Sequence, residues 1–429
     1  MTQIESAGQG KITDEMEQAA RYDGVSPEEM RRKIAEGVVV IPKNKLRNFP
    51  ARGIGAGLKT KVNANIGTSA SHVSLPEELD KLRTAEETGA DAVMDLSTGG
   101  NIDKILSAII ADSSVMIGTV PIYRSISHLF SEGLATANLT GEMIFADIEE
   151  EAKRGVDFMT VHCGVTKSTL EVLGGCKRVM GMVSRGGSLM AEWMTLHGQE
   201  NPLYEHFDRL LEIARQYEIT LSLGDGLRPG AICDAEDRAQ IAELTVLGGL
   251  VEKARAAGVQ AMVEGPGHVP LGKIAGDMKL QKSLCKGAPY YVLGPLPTDI
   301  APGYDHIVGA VGGAIAAANG ADFLCYVTPA EHLGLPTVQD VYDGVIASRI
   351  AAHIGDLEKG IPGAWEKDVG MSSARKDFRW EDMFHLAIDP AKARRVRGLT
   401  EDKDRDFCTM CGELCAIKTH NRFLDSGAI

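Results

Sequence analysis

The run Val115-Met-Ile-Gly-Thr-Val120 is short and apolar. After a loop comes Gly141-Glu-Met-Ile-Phe-Ala-Asp-Ile-Glu-Glu-Glu-Ala-Lys-Arg154, an amphipathic helical segment, and then a second apolar run, Phe158-Met-Thr-Val-His162. The same alternation extends from about residue 58 to 335. Apolar runs fall at 61–66, 92–96, 115–120, 158–162, 179–183, 220–223, 261–263, 290–293 and 323–327, with amphipathic segments such as 141–154, 204–217 and 235–257 between several of them. Alternating β and α units predict a parallel sheet covered by helices, and eight such strands close a (β/α)8 barrel. Nine runs are one too many, so one is expected outside the barrel or is not a strand at all. No Gly-x-Gly-x-x-Gly follows the first run, which counts against a dinucleotide-binding sheet.

The ends of the runs carry polar groups of many kinds. They supply Asn63 and Asn65, Met94 and Asp95, Tyr123, His162, Ser184-Arg185-Gly186, Asp225 and Arg228, Glu264, and Tyr291. Polar turns are ordinary, but so many functional types at equivalent positions match the C-terminal face of a barrel, where catalytic groups collect. Three glycine-rich turns, Ser97-Thr-Gly-Gly100, Ser184-Arg-Gly-Gly-Ser188 and Asp225-Gly-Leu-Arg-Pro-Gly230, offer backbone N–H groups beside a hydroxyl or an arginine. Such loops cradle phosphate, although ordinary βα turns look similar. Glu264-Gly-Pro-Gly-His268 and Glu331-His332 place two histidines beside glutamates, a pattern that suits a mononuclear metal, with His306 as a competing ligand.

Outward from the barrel, the first 50 residues read as a small helical preface, with Ser26-Pro-Glu-Glu29 as a capping box and 38–41 as an edge strand. Residues 338–359 and 380–395 read as helices, and the charged 401–406 as a linker. The boundaries expected are an N-terminal domain at 1–57, the barrel at 58–335, a helical region at 336–399 and a tail at 400–429. In that tail stands Cys408-Thr-Met-Cys411-Gly-Glu-Leu-Cys415. Three thiolates this close can hold an iron–sulfur cluster with one iron open, or zinc if His420 joins them. A disulfide is the third reading, and it leaves an odd cysteine. The net charge of −14 offers no basic face for nucleic acid. No apolar run is long enough to span a bilayer, no secretory signal is visible, and the other five cysteines are scattered, so a cytoplasmic, reducing setting is expected.

The stretches Lys61-Val-Asn-Ala-Asn-Ile-Gly67, Met94-Asp-Leu-Ser-Thr-Gly-Gly100, Val183-Ser-Arg-Gly-Gly-Ser188, Leu223-Gly-Asp-Gly-Leu-Arg-Pro-Gly230 and Glu264-Gly-Pro-Gly-His-Val-Pro270 resemble the phosphomethylpyrimidine synthase family of thiamin biosynthesis. So do Pro297-Thr-Asp-Ile-Ala-Pro-Gly-Tyr-Asp-His306 and Cys325-Tyr-Val-Thr-Pro-Ala-Glu-His332. The resemblance implies an atypical radical S-adenosylmethionine (SAM) enzyme: a (β/α)8 barrel with a small N-terminal domain and a C-terminal helical segment bearing a 4Fe–4S cluster. It implies 5-aminoimidazole ribotide as substrate, an external one-electron reductant, and a homodimer with shared active sites. The implied substrate contacts are Asn65, Met94, Tyr123, His162, Ser184, Arg185, Gly186, Asp225, Arg228, Glu264 and Tyr291. The implied ligands are Cys408, Cys411 and Cys415 for the cluster, and His268 and His332 for a mononuclear metal, zinc.

Three departures from the family pattern stand out. The cysteine spacing is C-x2-C-x3-C, as in the short members. Arg124-Ser125 follows Pro121-Ile-Tyr123 where the thiamin branch has Gln-Ala, and Cys163 follows His162 where that branch has alanine. The last two point to a paralogous branch that turns the same ribotide into 5-hydroxybenzimidazole, a precursor of cobamide lower ligands. The alternative is 4-amino-2-methyl-5-phosphomethylpyrimidine. A reading of another class is a non-catalytic barrel with a structural zinc tail.

Overall fold

The 141–154 segment is a helix with defined ends. Thr140 accepts the Met143 N–H at its start, and Gly155 stops it at φ 103°, a left-handed turn that suits glycine. Its face of Ile144, Phe145, Ile148 and Ala152 is buried, and the chain then enters a strand through Val156 and Asp157. The computed structural model describes residues 1–398, 408 and 410–425. It repeats this unit around a closed barrel of eight strands, all paired in parallel with their neighbours in chain order. The strands are β1 (Lys61–Ile66), β2 (Ala92–Asp95), β3 (Met116–Thr119), β4 (Phe158–Val161), β5 (Thr220–Leu223), β6 (Ala261–Gly265), β7 (Tyr290–Leu293) and β8 (Phe323–Cys325).

The surplus run is 179–183, which is a loop between the helices Lys167–Gly174 and Arg185–His197. Its apolar residues Val179 and Met180 are exposed, and their N–H groups go to the Asp234 carboxylate at 2.9 and 3.0 Å instead of to a strand. Two other segments are also divided. The 204–217 stretch forms Pro202–Glu205 and Phe207–Tyr217, and 380–395 breaks before Pro390 into Trp380–Leu386 and Pro390–Gly398. Asp237 caps the helix Arg238–Ala256, three residues after the expected start at 235. Ser26 caps its helix through the Glu29 N–H, but the Glu29 side chain turns to Lys33 at 2.8 Å, so the expected capping box has only one of its two bonds.

A recurrent junction fastens the entry pole of the barrel. Before β2, β4 and β8 the chain reads Gly89-Ala-Asp91, Gly155-Val-Asp157 and Gly320-Ala-Asp322, each glycine at positive φ. Each aspartate then bonds one residue of the preceding strand twice. Asp91 donates its N–H to Val62 O and accepts the Val62 N–H at 2.9 Å; Asp157 does the same with Ile117 at 2.8 Å and Asp322 with Tyr290 at 2.9 Å. The carboxylates thereby satisfy strand donors that would otherwise be buried without a partner. The helices Gln3–Gly8, Asp14–Asp23 and Pro27–Ala35, with a ribbon of Val39–Val40 and Ile54–Gly55, form a small core of their own around Met16, Met30 and Ile34. They are tied to the entry pole by a fully buried ion pair between Asp23 and Lys61 at 2.7 Å.

Two compact units result, Met1–Ile361 and Pro362–Ile429. The first includes the helix Val338–Glu358. The second contains Ala364–Lys376, Trp380–Leu386, Pro390–Gly398 and, after the cysteine run, Ala416–Asp425. The stretch 401–406, expected as a linker, lies outside the described residues. Among the described residues no helix is long and apolar enough to cross a membrane.

Asp157 accepts from Asn44 N–H as well as from Ile117 N–H. Asp157→Ala leaves both donors buried, and each unsatisfied donor costs about 1–3 kcal/mol. Urea unfolding is expected to show a loss of that order for the alanine variant, with Asp157→Asn, which keeps one acceptor oxygen, in between.

Candidate active site

Period-two alternation carries Phe158 and Thr160 of β4, then His162, along one inward line. The Phe158 ring meets Phe323 of the opposite strand β8 edge-on at 6.1 Å, and Tyr291 stacks on Phe323 at 4.4 Å. Gly118 of β3 makes room for this floor, since a Cβ there would stand 2.3 Å from the Phe158 ring. Above the floor, at the C-terminal ends of the strands, a cavity of about 280 Å³ opens. Of the expected contacts, Asn65, Met94, Tyr123, His162, Arg185, Asp225, Arg228, Glu264 and Tyr291 line it. Ser184 and Gly186 do not. Ser184 Oγ accepts the Gly187 N–H at 3.1 Å and so starts the helix that carries Arg185, while Gly186 lies flat against the His162 ring, where a Cβ would come within 2.3 Å of Cε1.

Burial sets the electrostatics. Arg228 donates to Asp225 Oδ1 at 2.9 Å, while Asp225 Oδ2 has no partner among the described residues. Burial raises the Asp225 carboxyl against the pull of Arg228. Burial, and then the Asp225 charge, push Glu264 up to about 7, although it accepts from Thr160 Oγ1 at 2.8 Å. His162 is driven down to about 3 by burial and then by Arg228, so its imidazole stays neutral. Its carbonyl is anchored by the buried Asn201 amide at 2.9 Å. Arg185 lies over the Tyr123 ring at 4.9 Å and is otherwise exposed. Asn63 donates to Tyr291 Oη and to Asn65 Oδ1, both at 2.8 Å, and fixes these two side chains.

The polar wall also includes Thr160, Cys325 and Glu331, which the sequence reading missed as site residues. Thr160 sits two residues before His162 and Cys325 two after Phe323, so strand alternation was the available signal. Asn65 Nδ2 points at Cys325 Sγ at 3.1 Å, and burial pushes that thiol up to about 12. A second cavity of about 240 Å³ adjoins the first, sharing Asn65, Leu96, Arg185 and Glu331 and reaching Lys81, Ser69 and His332.

His268 and His332 come together with ring centroids 5.3 Å apart. His268 Nδ1 faces Asp299 Oδ1 at 2.8 Å, and His332 Nδ1 faces Asp305 Oδ1 at 3.4 Å. His332 has a φ of 62°, a strained conformation of the kind that clusters at functional sites. His306 is on the helix Asp305–Ala318 and is not in this pair. In the second unit, Cys408 is half-buried, Cys411 exposed and Cys415 buried, all as free thiols. A short turn, Gly412–Leu414, joins the last two. Among the described residues no three His, Cys, Asp or Glu side chains already converge as a metal site.

A model of the Radical SAM ThiC family matches residues 2–422. A phosphomethylpyrimidine synthase from Desulforamulus reducens is 56% identical over 425 residues, 99% of this chain and 98% of the relative. One from Geobacter metallireducens is 57% identical over 419 residues, 97% of this chain and 96% of the relative. A solved dihydropteroate synthase from Coxiella burnetii covers 71% of this chain and 96% of its own at TM-score 0.41 and 11% identity, too distant to bear on the site.

Arg124 and Cys163, the departures that adjoin Tyr123 and His162 in sequence, do not line the cavity. Arg124 turns away from it into a carboxylate cage, paired with Asp103 and with Asp147 at 3.0 Å. The helix beginning at Pro121 directs Tyr123 to the cavity and its neighbour about a third of a turn away. Cys163 is fully buried in the hydrophobic core, its thiol against Val161 O at 3.5 Å. Arg124→Gln is therefore expected to lower stability by about 1–3 kcal/mol through the carboxylates left behind. Calorimetry should show that loss with ligand affinity unchanged.

Proposed function

The chain belongs to the Radical SAM ThiC family, and on that premise we propose that it converts 5-aminoimidazole ribotide into 4-amino-2-methyl-5-phosphomethylpyrimidine for thiamin synthesis. Membership carries a 4Fe–4S cluster and SAM as the reactive pair. The observation that favours a ribotide is the pole cavity itself. It combines Arg185, which has no carboxylate partner among the described residues, with an Arg228–Asp225 pair, a neutral imidazole and a carboxyl poised near neutrality. Guanidinium groups suit a phosphate. Asn65, His162 and Glu264 suit the hydroxyl, amino and ring nitrogens of an aminoimidazole riboside. The adjoining cavity, reached past Arg185, leaves space for a second molecule such as SAM.

Cys408, Cys411 and Cys415 fit the cluster by donor type: three soft thiols in one run, with no fourth ligand supplied by the run itself. Held by these three thiolates, a cluster would supply the one-electron reduction of SAM on which radical chemistry of this family depends. The chain's own residues do the rest. The aromatic floor and buried strand ends exclude water, Arg185 and Arg228 hold the anionic end, the neutral His162 imidazole can hydrogen-bond the bound ring, and Glu264 can exchange a proton with it.

His268 and His332 are proposed to share a separate ion, with zinc as the first candidate. An Nδ1–H donated by His268 to Asp299 leaves its Nε2 to face an ion, the usual carboxylate–histidine–metal arrangement, and Asp305 stands beside His332 Nδ1 in the same way. Two imidazoles on one tetrahedral zinc at about 2.0–2.1 Å place their centroids roughly 5 Å apart, and the observed separation is 5.3 Å. The proposal extends to an external one-electron reductant and a homodimer, and a reducing compartment suits eight free cysteines.

The pyrimidine is favoured over 5-hydroxybenzimidazole. The case for the benzimidazole rested on Arg124 and Cys163, which lie away from the cavity, and the relatives carry the pyrimidine name. Anaerobic incubation of reconstituted protein with the ribotide, SAM and a strong reductant is expected to yield a phosphorylated pyrimidine by mass spectrometry. Free phosphate with a benzimidazole would reverse the assignment. Cys411→Ala is expected to lose the cluster's visible absorption and SAM cleavage while circular dichroism stays unchanged. His268→Ala should lose one bound metal equivalent by elemental analysis with the iron and sulfide content intact.

A further inference from the structure

Arg185 opens the helix that follows the 175–184 loop and Arg228 lies in the turn after β5, so their spacing is set by whatever joins those two segments. The join is Arg178, whose side chain is only 3% exposed and does not line the cavity. Its Nε and Nη2 grip the Asp237 carboxylate, both at 2.7 Å. The same guanidinium donates to Leu227 O at 2.6 Å, Arg228 O at 3.2 Å and Gly181 O at 3.1 Å. Burial alone would raise the Asp237 carboxyl, yet the Arg178 bond and the Gln240 N–H hold it below the usual range.

The surrounding contacts act on the same two loops. The Val179 and Met180 N–H groups bond Asp234, on the far side of the Arg228 turn. From beneath, the fully buried Glu243 accepts the Leu227 N–H at 2.7 Å. The backbones meet directly at Gly187 and Gly226, where a Cβ on Gly187 would lie 2.5 Å from Gly226 Cα. Both backbone polar groups of Leu227 are thus bonded to buried side chains, the N–H to Glu243 and the carbonyl to Arg178.

We infer that Arg178, held by Asp237, is a positioning residue that sets the distance between Arg185 and Arg228 and thereby fits the site to a phosphorylated ligand over its dephosphorylated form. This rests on the ribotide reading above. Lysine cannot replace Arg178, because one ammonium cannot span a carboxylate and three carbonyls in a plane.

The test is calorimetric binding of 5-aminoimidazole ribotide and of the corresponding riboside to anaerobically reconstituted protein, as wild type, Arg178→Lys, Asp237→Asn and the double variant. Misplacement by a fraction of an ångström is expected to weaken ribotide binding about 10- to 100-fold in Arg178→Lys. Riboside affinity should change by no more than about twofold, and the double variant should be no worse than Arg178→Lys, since the two residues act as one unit. Equal losses for both ligands would make Arg178 a merely structural residue, and no loss for either would remove its role; each overturns the inference. Asp237→Asn keeps the test valid if Arg178→Lys folds poorly. A wild type that fails to bind the ribotide defeats the functional reading itself, whereas wild-type binding with unselective losses in the variants defeats only the positioning role.

Discussion

A parallel barrel has to satisfy the backbone groups at the ends of its strands. At the entry pole this chain does so with Asp91, Asp157 and Asp322, each bonded twice to one residue of the neighbouring strand. The arrangement couples helix termination to strand register, because a glycine at positive φ ends the helix two residues before each aspartate. Burial pushes Asp157 up to about 7, so the carboxylate is stressed by the place it occupies and is held there by the donors around it. With the entry pole fastened in this way, the other ends of the strands are free to carry function.

The barrel interior then changes character along its axis. Phe158, Phe323 and Tyr291 fill the middle, and Thr160, Asn65, His162, Asp225 and Glu264 stand above them. The aromatic layer removes water from beneath the polar one. That desolvation keeps His162 neutral and Glu264 near its midpoint at neutral pH. Side chains of the same types on an exposed surface would titrate normally and would lack the low-dielectric setting that strengthens their interactions with a bound ligand.

The loops show a division of labour. Arg185 and Arg228 reach the cavity, whereas Arg178, Asp234, Asp237 and Glu243 bond to backbone groups. Buried ionisable groups are costly, so their concentration around a single turn marks it as a place where geometry matters more than stability.

The sequence by itself determined the kind of fold and the inventory of the site. Short apolar runs alternating with amphipathic segments specified a parallel sheet covered by helices, the number of runs pointed to a closed barrel, and the long motifs around Asn65, Arg185, Asp225 and Glu264 specified the family. Tertiary structure decided what local pattern cannot carry. Residues 179–183 have a strand's composition but become a loop, since their N–H groups find the Asp234 carboxylate 54 and 55 positions away in sequence. Arg124 adjoins Tyr123 in sequence but belongs to a separate ion-pair cage, because successive helical residues point in different directions. His268 and His332 are far apart in the chain and meet because β6, β7 and β8 lie side by side in parallel, bringing the loops after β6 and β8 to the same pole. Which residues exist was written in the sequence; which of them share a cavity was settled by the closure of the sheet.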